Sequence, residues 1–279
     1  MSHPPTLITS RPLDEYCRLF GLTRSSLGTL PGPVLDCPGG AAGLVAEARA
    51  LGCQVIAADP LYALPAPDRT ALARAGRAAI ATAAGTDPGR YLPGGHAHRP
   101  EKYLRSWDRA HRLFAADSAA HPDRYIAAAL PRLPFAEGTF ALTLSSYLLF
   151  AYPELFAADD QLAALLELVR VTAPEGEVRV HPLYDGSGRR CPHLPELRAT
   201  LGAHRISTEI RRVAPSDRAG RPHRILILRA VNRRSSRLRT PAGIHLTTAQ
   251  PTRRTDARAL GPQPSTRAVG TSTADAPTP

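Results

Sequence analysis

Two aspartates, Asp36 and Asp59, carry the strongest chemical signal in the chain. They close the two apolar runs of PVLDCPGGAAGLVAEARALGCQVIAADP, residues 33–60, and Gly39 and Gly40 lie just beyond the first of them. A carboxylate accepts two hydrogen bonds at once, and glycines let the backbone come close to a ligand. Backbone N–H groups at a helix start, with an acid about 20 residues further on, suit a nucleoside bearing a polar or charged appendage. The spacing therefore predicts a nucleotide-like cofactor in one hollow flanked by both aspartates.

Other candidates are weaker. Cys37 has no basic neighbour and reads as a small buried residue rather than a nucleophile. Tyr147 follows an apolar run, where a packing or hydrogen-bonding role outweighs that of a base, because a phenol ordinarily titrates near ~10. His96 and His98 lie in a glycine-rich loop and read as solvated. Cys191-Pro192-His193 offers one ligand of each kind without a second pair, so no metal site is expected. With four scattered cysteines, reduced thiols in a cytoplasmic protein are the expectation.

The elements that position these residues follow from the patterning. Val34 and Leu35 begin a buried strand, Cys37–Ala42 is a tight turn, Gly43–Leu51 a short helix, and Gln54–Ala58 a second strand. Such a unit builds a parallel sheet with a crevice beyond the strands' carboxyl ends. Leu13–Phe20 forms a short helix against the sheet edge. Residues 63–113 break the pattern with helical stretches at 68–84 and 101–116 around the turn-rich loop Gly85–Pro100, a helical insertion read as a lid or cap. Strands follow at Tyr125–Leu130, Phe140–Ser146 and Glu177–Leu183, with helices at Asp159–Val171 and Pro195–Leu201. The first of these helices places Leu162, Leu165, Leu166 and Val169 on one face. His204–Val213 and Arg224–Val231 are close enough in sequence to form an antiparallel hairpin.

The formal net charge is +11, and residues 232–279 hold eight arginines and two aspartates. This Thr-, Pro- and Arg-rich tail has almost no apolar periodicity, so disorder is expected there. Residues 1–231 carry the remaining +5 without a basic helix face, and Lys102 is the only lysine. Nucleic-acid contact through the tail is thus the disfavoured reading. No apolar run is long enough for a membrane span, and no secretory signal is evident.

A run of β/α units ending in an antiparallel hairpin resembles the class I S-adenosylmethionine-dependent methyltransferases, in particular a bacterial subset of unassigned acceptor. The resemblance covers residues 30–231 and rests on VLDCPGG (34–40), VIAADPLY (55–62) and LPRLPFAEGTFALTLSSYLLF (130–150). It implies an α/β fold with a doubly wound, mostly parallel seven-stranded sheet, and S-adenosylmethionine as cofactor. It also implies a small or medium-sized acceptor. Cofactor contacts are implied at Asp36, Cys37, Gly39, Gly40, Asp59, Pro60, Leu130 and Ser145. Asp36 would orient the methionine ammonium, Asp59 would hold the ribose hydroxyls, Leu130 would pack on adenine, and Ser145 and Ser146 would face the transfer site. Pro38 and Ala42 stand where the family has glycines, and Ala129 and Ala141 where it often has acids. No residue is assigned as a catalytic base. The alternative is a non-catalytic binding module of the same fold. A nicotinamide-dependent oxidoreductase is disfavoured, because its loop requires G-x-G-x-x-G.

Overall fold

The computed structural model describes residues 7–92, 99–214 and 222–231. The tail 232–279, His96 and His98 lie outside these residues. Seven strands form one sheet: β1 (Val34–Asp36), β2 (Val55–Ala58), β3 (Tyr125–Ile126), β4 (Phe140–Ser146), β5 (Thr172–His181), β6 (Ile206–Val213) and β7 (His223–Ala230). Their order is β3-β2-β1-β4-β5-β7-β6. β1 to β5 run parallel, and β7 is antiparallel to both β5 and β6, as the short β6–β7 connection requires.

Two apolar layers sandwich the sheet. On one face Leu35, Ile56, Ala58, Val178 and Val180 pack against Leu165 and Leu168 of α7 (Ala158–Val171) and Leu197 and Leu201 of α8 (Leu194–Ala203). On the other, Val34, Val55, Ala57, Leu142 and Leu144 meet α1 (Leu13–Phe20), α3 (Leu44–Arg49) and Phe114 of α6 (Pro100–Ala120). Every residue of β1 and β2 is buried, as strands covered on both sides must be. α1 is a well-signalled helix, with Asp14 and Glu15 in its first turn, Arg18 in its last, and Gly21 closing it at φ 63°. A further short helix, α2, spans Arg24–Gly28.

The insertion holds three helices. α4 (Ala66–Thr86) and α5 (Pro88–Tyr91) precede α6. α6 joins the layer of helices beside α3, with Ala110 against Gly43 and Phe114 in the core beneath the sheet. β3 is shorter than expected because Ala127 and Ala129 are exposed and the chain turns at Ala129–Arg132. β5 begins five residues earlier than expected and ends at His181, since Pro182 has no N–H to continue the ladder. On α7 the stripe is rotated. Leu168 and Gln161 are buried, the latter donating to the carbonyls of Leu149 and Phe156, while Leu162 and Leu166 sit at the margin.

Candidate functional site

In an open parallel sheet, ligands bind beyond the carboxyl ends of the strands where the winding direction reverses. Here the chain winds from β1 outward to β2 and β3, then returns to place β4 on the other side of β1. The switch point therefore falls between β1 and β4, where Asp36 is in register with Leu144.

Alternation along the strands sorts the side chains at this edge. Asp36, Ser146 and His181 share the face of α1, because Asp36 pairs with Leu144 and Ser146 with His181. Ser145 points to the opposite face, as does Cys37, whose side chain is 2% exposed in the core against α7. The serines expected to act together thus line the edge from opposite sides.

Asp36 is 1% exposed. Its Oδ2 accepts from Tyr16 Oη at 2.8 Å, and its Oδ1 has no hydrogen-bond partner among the described residues. Burial pushes the Asp36 carboxyl up to about 8, against the Tyr16 bond and the Arg11 charge, which both lower it; the nearby Asp59 raises it further.

Asp59 behaves differently. Its Oδ1 caps the 3-10 turn Pro60–Ala63 by accepting from Leu61 N at 2.8 Å, and its Oδ2 accepts from Gly40 N at 2.9 Å. It staples the glycine turn to β2, so any ribose hydroxyls would share oxygens already in use. Pro60, at the first position of that turn, is exposed. Leu130 is half-buried against the α7 layer.

The glycine turn is packed rather than open. A Cβ on Gly39 would lie 2.3 Å from Tyr62 Oη, and one on Gly40 would lie 2.9 Å from the Thr9 carbonyl oxygen. Tyr62 Oη donates to the Gly40 carbonyl at 2.9 Å. Each amide from 39 to 43 bonds within the chain. Gly39 donates to Ala58 O, Gly40 to Asp59, Ala41 to Thr9 O, Ala42 to Gly39 O and Gly43 to Arg11 O. The expectation of one open hollow between the two aspartates is corrected accordingly. Tyr16 covers Asp36, while the turn, Tyr62 and residues 9–11 occupy the approach to Gly39 and Gly40.

Residues 7–12 form a strap that sequence reading missed, since no periodicity marks it. It threads between the turn and α4, where a Cβ on Gly76 would lie 1.9 Å from the Ile8 carbonyl oxygen. Arg11 is its anchor: buried, with Nε donating to Glu15 Oε1 at 3.0 Å and its guanidinium 3.9 Å from the Tyr147 ring centroid. Glu15 also accepts from Tyr103 Oη at 3.0 Å and Trp107 Nε1 at 3.4 Å, tying the strap to α6. Tyr147 lies under a cation in a left-handed conformation, φ 52°. Burial raises its phenol, so it is unsuited to act as a base at neutral pH.

Among the described residues, Asp36 Oδ1, Ser145 Oγ and His181 Nδ1, at the carboxyl ends of β1, β4 and β5, are buried without a hydrogen-bond partner, as is Ser10 Oγ on the strap. His181, packed edge-on to Tyr147, Tyr184 and His223, is held neutral by burial, its pKa lowered to about 3. Among the described residues no group of His, Cys, Asp or Glu could hold a metal ion. No helix among them is long and apolar enough to cross a membrane.

The strand order, the parallel β1–β5 block and the antiparallel β7 define a Rossmann-like, doubly wound sheet that ends in an antiparallel hairpin. No family model matches the chain. It is 20% identical over 200 residues to an uncharacterized protein of Methanocaldococcus jannaschii, covering 69% of this chain and 84% of that one. Among solved structures it is similar to the 1,6-didemethyltoxoflavin-N1-methyltransferase of Burkholderia thailandensis, which holds S-adenosylhomocysteine. That match has 18% identity, covers 75% of this chain and 76% of that one, and has a TM-score of 0.38. It is also similar to the CcbJ methyltransferase of Streptomyces caelestis, at 14% identity over 74% and 86% of the two chains with a TM-score of 0.40.

Proposed function

We propose that the protein binds S-adenosylmethionine at the β1–β4 switch point and transfers its methyl group to a small or medium-sized acceptor. The observation that carries this reading is the set of buried, unpartnered polar atoms at the carboxyl edge, headed by Asp36 Oδ1 at the end of β1. An unsatisfied buried acceptor is costly unless something meets it, and a ligand ammonium suits a carboxylate oxygen. The residues present therefore fit the cofactor's amino-acid end.

The bound sulfonium supplies an activated methyl group; the chain's task is to orient the reactants and exclude water. Asp36 holds the ammonium, and Ser145 reaches the same edge from the opposite face. Cys37, Leu130 and Pro60 supply apolar surface near the nucleoside, with Asp59 and the Gly39-Gly40 turn fixing the floor. Because the turn's amides are already paired, recognition falls to side chains, and a ligand entering here displaces contacts at Tyr16 or along the strap. The domain is read as 1–231 and the tail 232–279 as an appendage.

Isothermal titration with S-adenosylhomocysteine tests the reading. One binding site, weakened when Asp36 is replaced by Asn, supports it. No heat at high micromolar ligand overturns it.

A further inference from the structure

His181 ends β5 inside a cluster of rings. Its ring centroid lies 4.7 Å from that of His223, 5.4 Å from Tyr147 and 6.1 Å from Tyr184, each pair edge-on. Two of these neighbours are fixed. His223 Nε2 donates to the Leu19 carbonyl of α1 at 2.8 Å, and the Tyr147 ring lies under the Arg11 guanidinium. Tyr184 stands on the loop after β5 and is 37% exposed. An exposed side chain changes rotamer within nanoseconds, so Tyr184 is the movable wall of the cluster.

His181 itself is 2% exposed, yet its Nδ1 meets no hydrogen-bond partner among the described residues. A buried polar atom left unmet calls for an explanation, and a ligand group supplies one. Burial keeps the imidazole neutral, so it offers a hydrogen bond without a charge. A hydroxyl meets either tautomer, because it both donates and accepts. The surrounding rings favour a planar π system over a saturated one of equal size, through stacked or edge-to-face contact.

The location separates this nitrogen from the atoms given to the cofactor. β4 lies between β1 and β5, which puts His181 two strand spacings, about 10 Å, across the sheet from Asp36. Both stand at the carboxyl edge, His181 in register with Ser146. Between them Tyr147 holds φ 52°, a costly backbone state for a bulky residue and one that recurs at ligand sites.

We propose that the His181–Tyr184 corner binds the methyl acceptor, and that this acceptor is a planar aromatic molecule bearing a hydroxyl group. Its ring packs against Tyr184, turned outward, and its hydroxyl bonds His181 Nδ1. His181 is a binding group in this arrangement and takes no proton. The assignment rests on the methyl-transfer reading above and supplies the acceptor class which that reading leaves open.

Calorimetry on the full chain, with and without S-adenosylhomocysteine, tests it with three probes of one size. These are 2-naphthol, 2-methoxynaphthalene, which lacks the hydroxyl, and decahydro-2-naphthol, which lacks the π system. The wild-type protein should bind 2-naphthol about tenfold more tightly than either of the others. Tyr184→Ala should weaken 2-naphthol about fivefold. His181→Phe keeps a ring but removes Nδ1, and should bring 2-naphthol and 2-methoxynaphthalene within about twofold of each other. Equal wild-type affinity for the three probes, or no heat with any of them, overturns the assignment. A hydroxyl preference that survives His181→Phe overturns it too. If His181→Phe fails to fold, the wild-type comparison and Tyr184→Ala decide. Binding of S-adenosylhomocysteine without the probe preference removes the aromatic site and leaves the cofactor reading standing. The preference without S-adenosylhomocysteine binding overturns the methyl-transfer reading and, with it, the acceptor role.

Discussion

Tyr16 donates to Asp36 Oδ2 at 2.8 Å, joining α1 to the end of β1 and closing one side of the switch point. Replacing Tyr16 with Phe removes the one hydrogen-bond partner, among the described residues, of a carboxyl that is 1% exposed. The expected cost is about 1–3 kcal/mol, from a buried polar group left unsatisfied. The same change should raise the Asp36 pKa above its value of about 8, since the Tyr16 bond lowers it. Urea unfolding of Tyr16→Phe checks the first expectation; an unchanged midpoint contradicts it.

Stability should depend on pH through Asp36 with a definite sign. Its pKa is about 8 in the fold and about 4 in the unfolded chain, so between these values the native state binds more protons. Stability from this group therefore falls as pH rises from about 4 to about 8 and levels off above. Asp36→Asn should remove that slope and be more stable than wild type at pH 8. His181 acts oppositely. Its pKa is lowered to about 3, so its contribution is complete above its ordinary value near 6.5 and is lost as pH falls toward 3. Denaturation series at several pH values on wild type, Asp36→Asn and His181→Asn separate the two.

Ionisation of Asp36 also couples to binding. An ammonium favours the carboxylate form, so S-adenosylhomocysteine should bind more tightly as pH rises from 6 toward about 8 and should release protons at pH 7. Calorimetry in buffers of different ionisation enthalpy measures that release. Proton uptake would contradict the role given to Asp36.

Glu15 is the hub between strap and insertion, accepting from Arg11, Tyr103 and Trp107. Glu15→Gln leaves the Arg11 cation buried without its counter-charge, at a cost of about 3–5 kcal/mol. Trp107, the only tryptophan and 0% exposed, reports on it: its emission should shift to the red in the variant. A loss under about 1 kcal/mol with unshifted emission would show that the hub is dispensable.

Gly76→Ala addresses the strap directly. The added Cβ would lie 1.9 Å from the Ile8 carbonyl, a backbone atom that moves only if the strap does. Overpacking of this kind costs about 1–3 kcal/mol. The amides of Ala41 and Gly43, bonded to Thr9 and Arg11, should then exchange hydrogen faster. Unchanged protection at both amides would contradict the packing described.

Much of the fold was legible because buried strands and amphipathic helices write their periods into the chain. β4 falls at Phe140–Ser146 as expected, and the β6–β7 hairpin was readable from its short turn. What could not be read depends on contacts distant in sequence. Nothing local marks Arg11 as buried, because its partners include Tyr147 and Trp107, supplied by β4's end and α6. Gly39 and Gly40 suggested room for a ligand, but a lone sequence cannot show that Tyr62 and Thr9 fill that room. The same holds for Asp59. Its position at a strand end was legible; its use as a cap for Leu61 and staple for Gly40 emerges only in three dimensions.

The most direct test is a crystal of the full chain grown with S-adenosylhomocysteine. The account predicts ligand density at the carboxyl ends of β1 and β4, with the ammonium on Asp36 Oδ1 and the Tyr16 contact or the strap displaced. Density at another location, or an intact Tyr16–Asp36 bond with the ligand absent at saturating concentration, would contradict it.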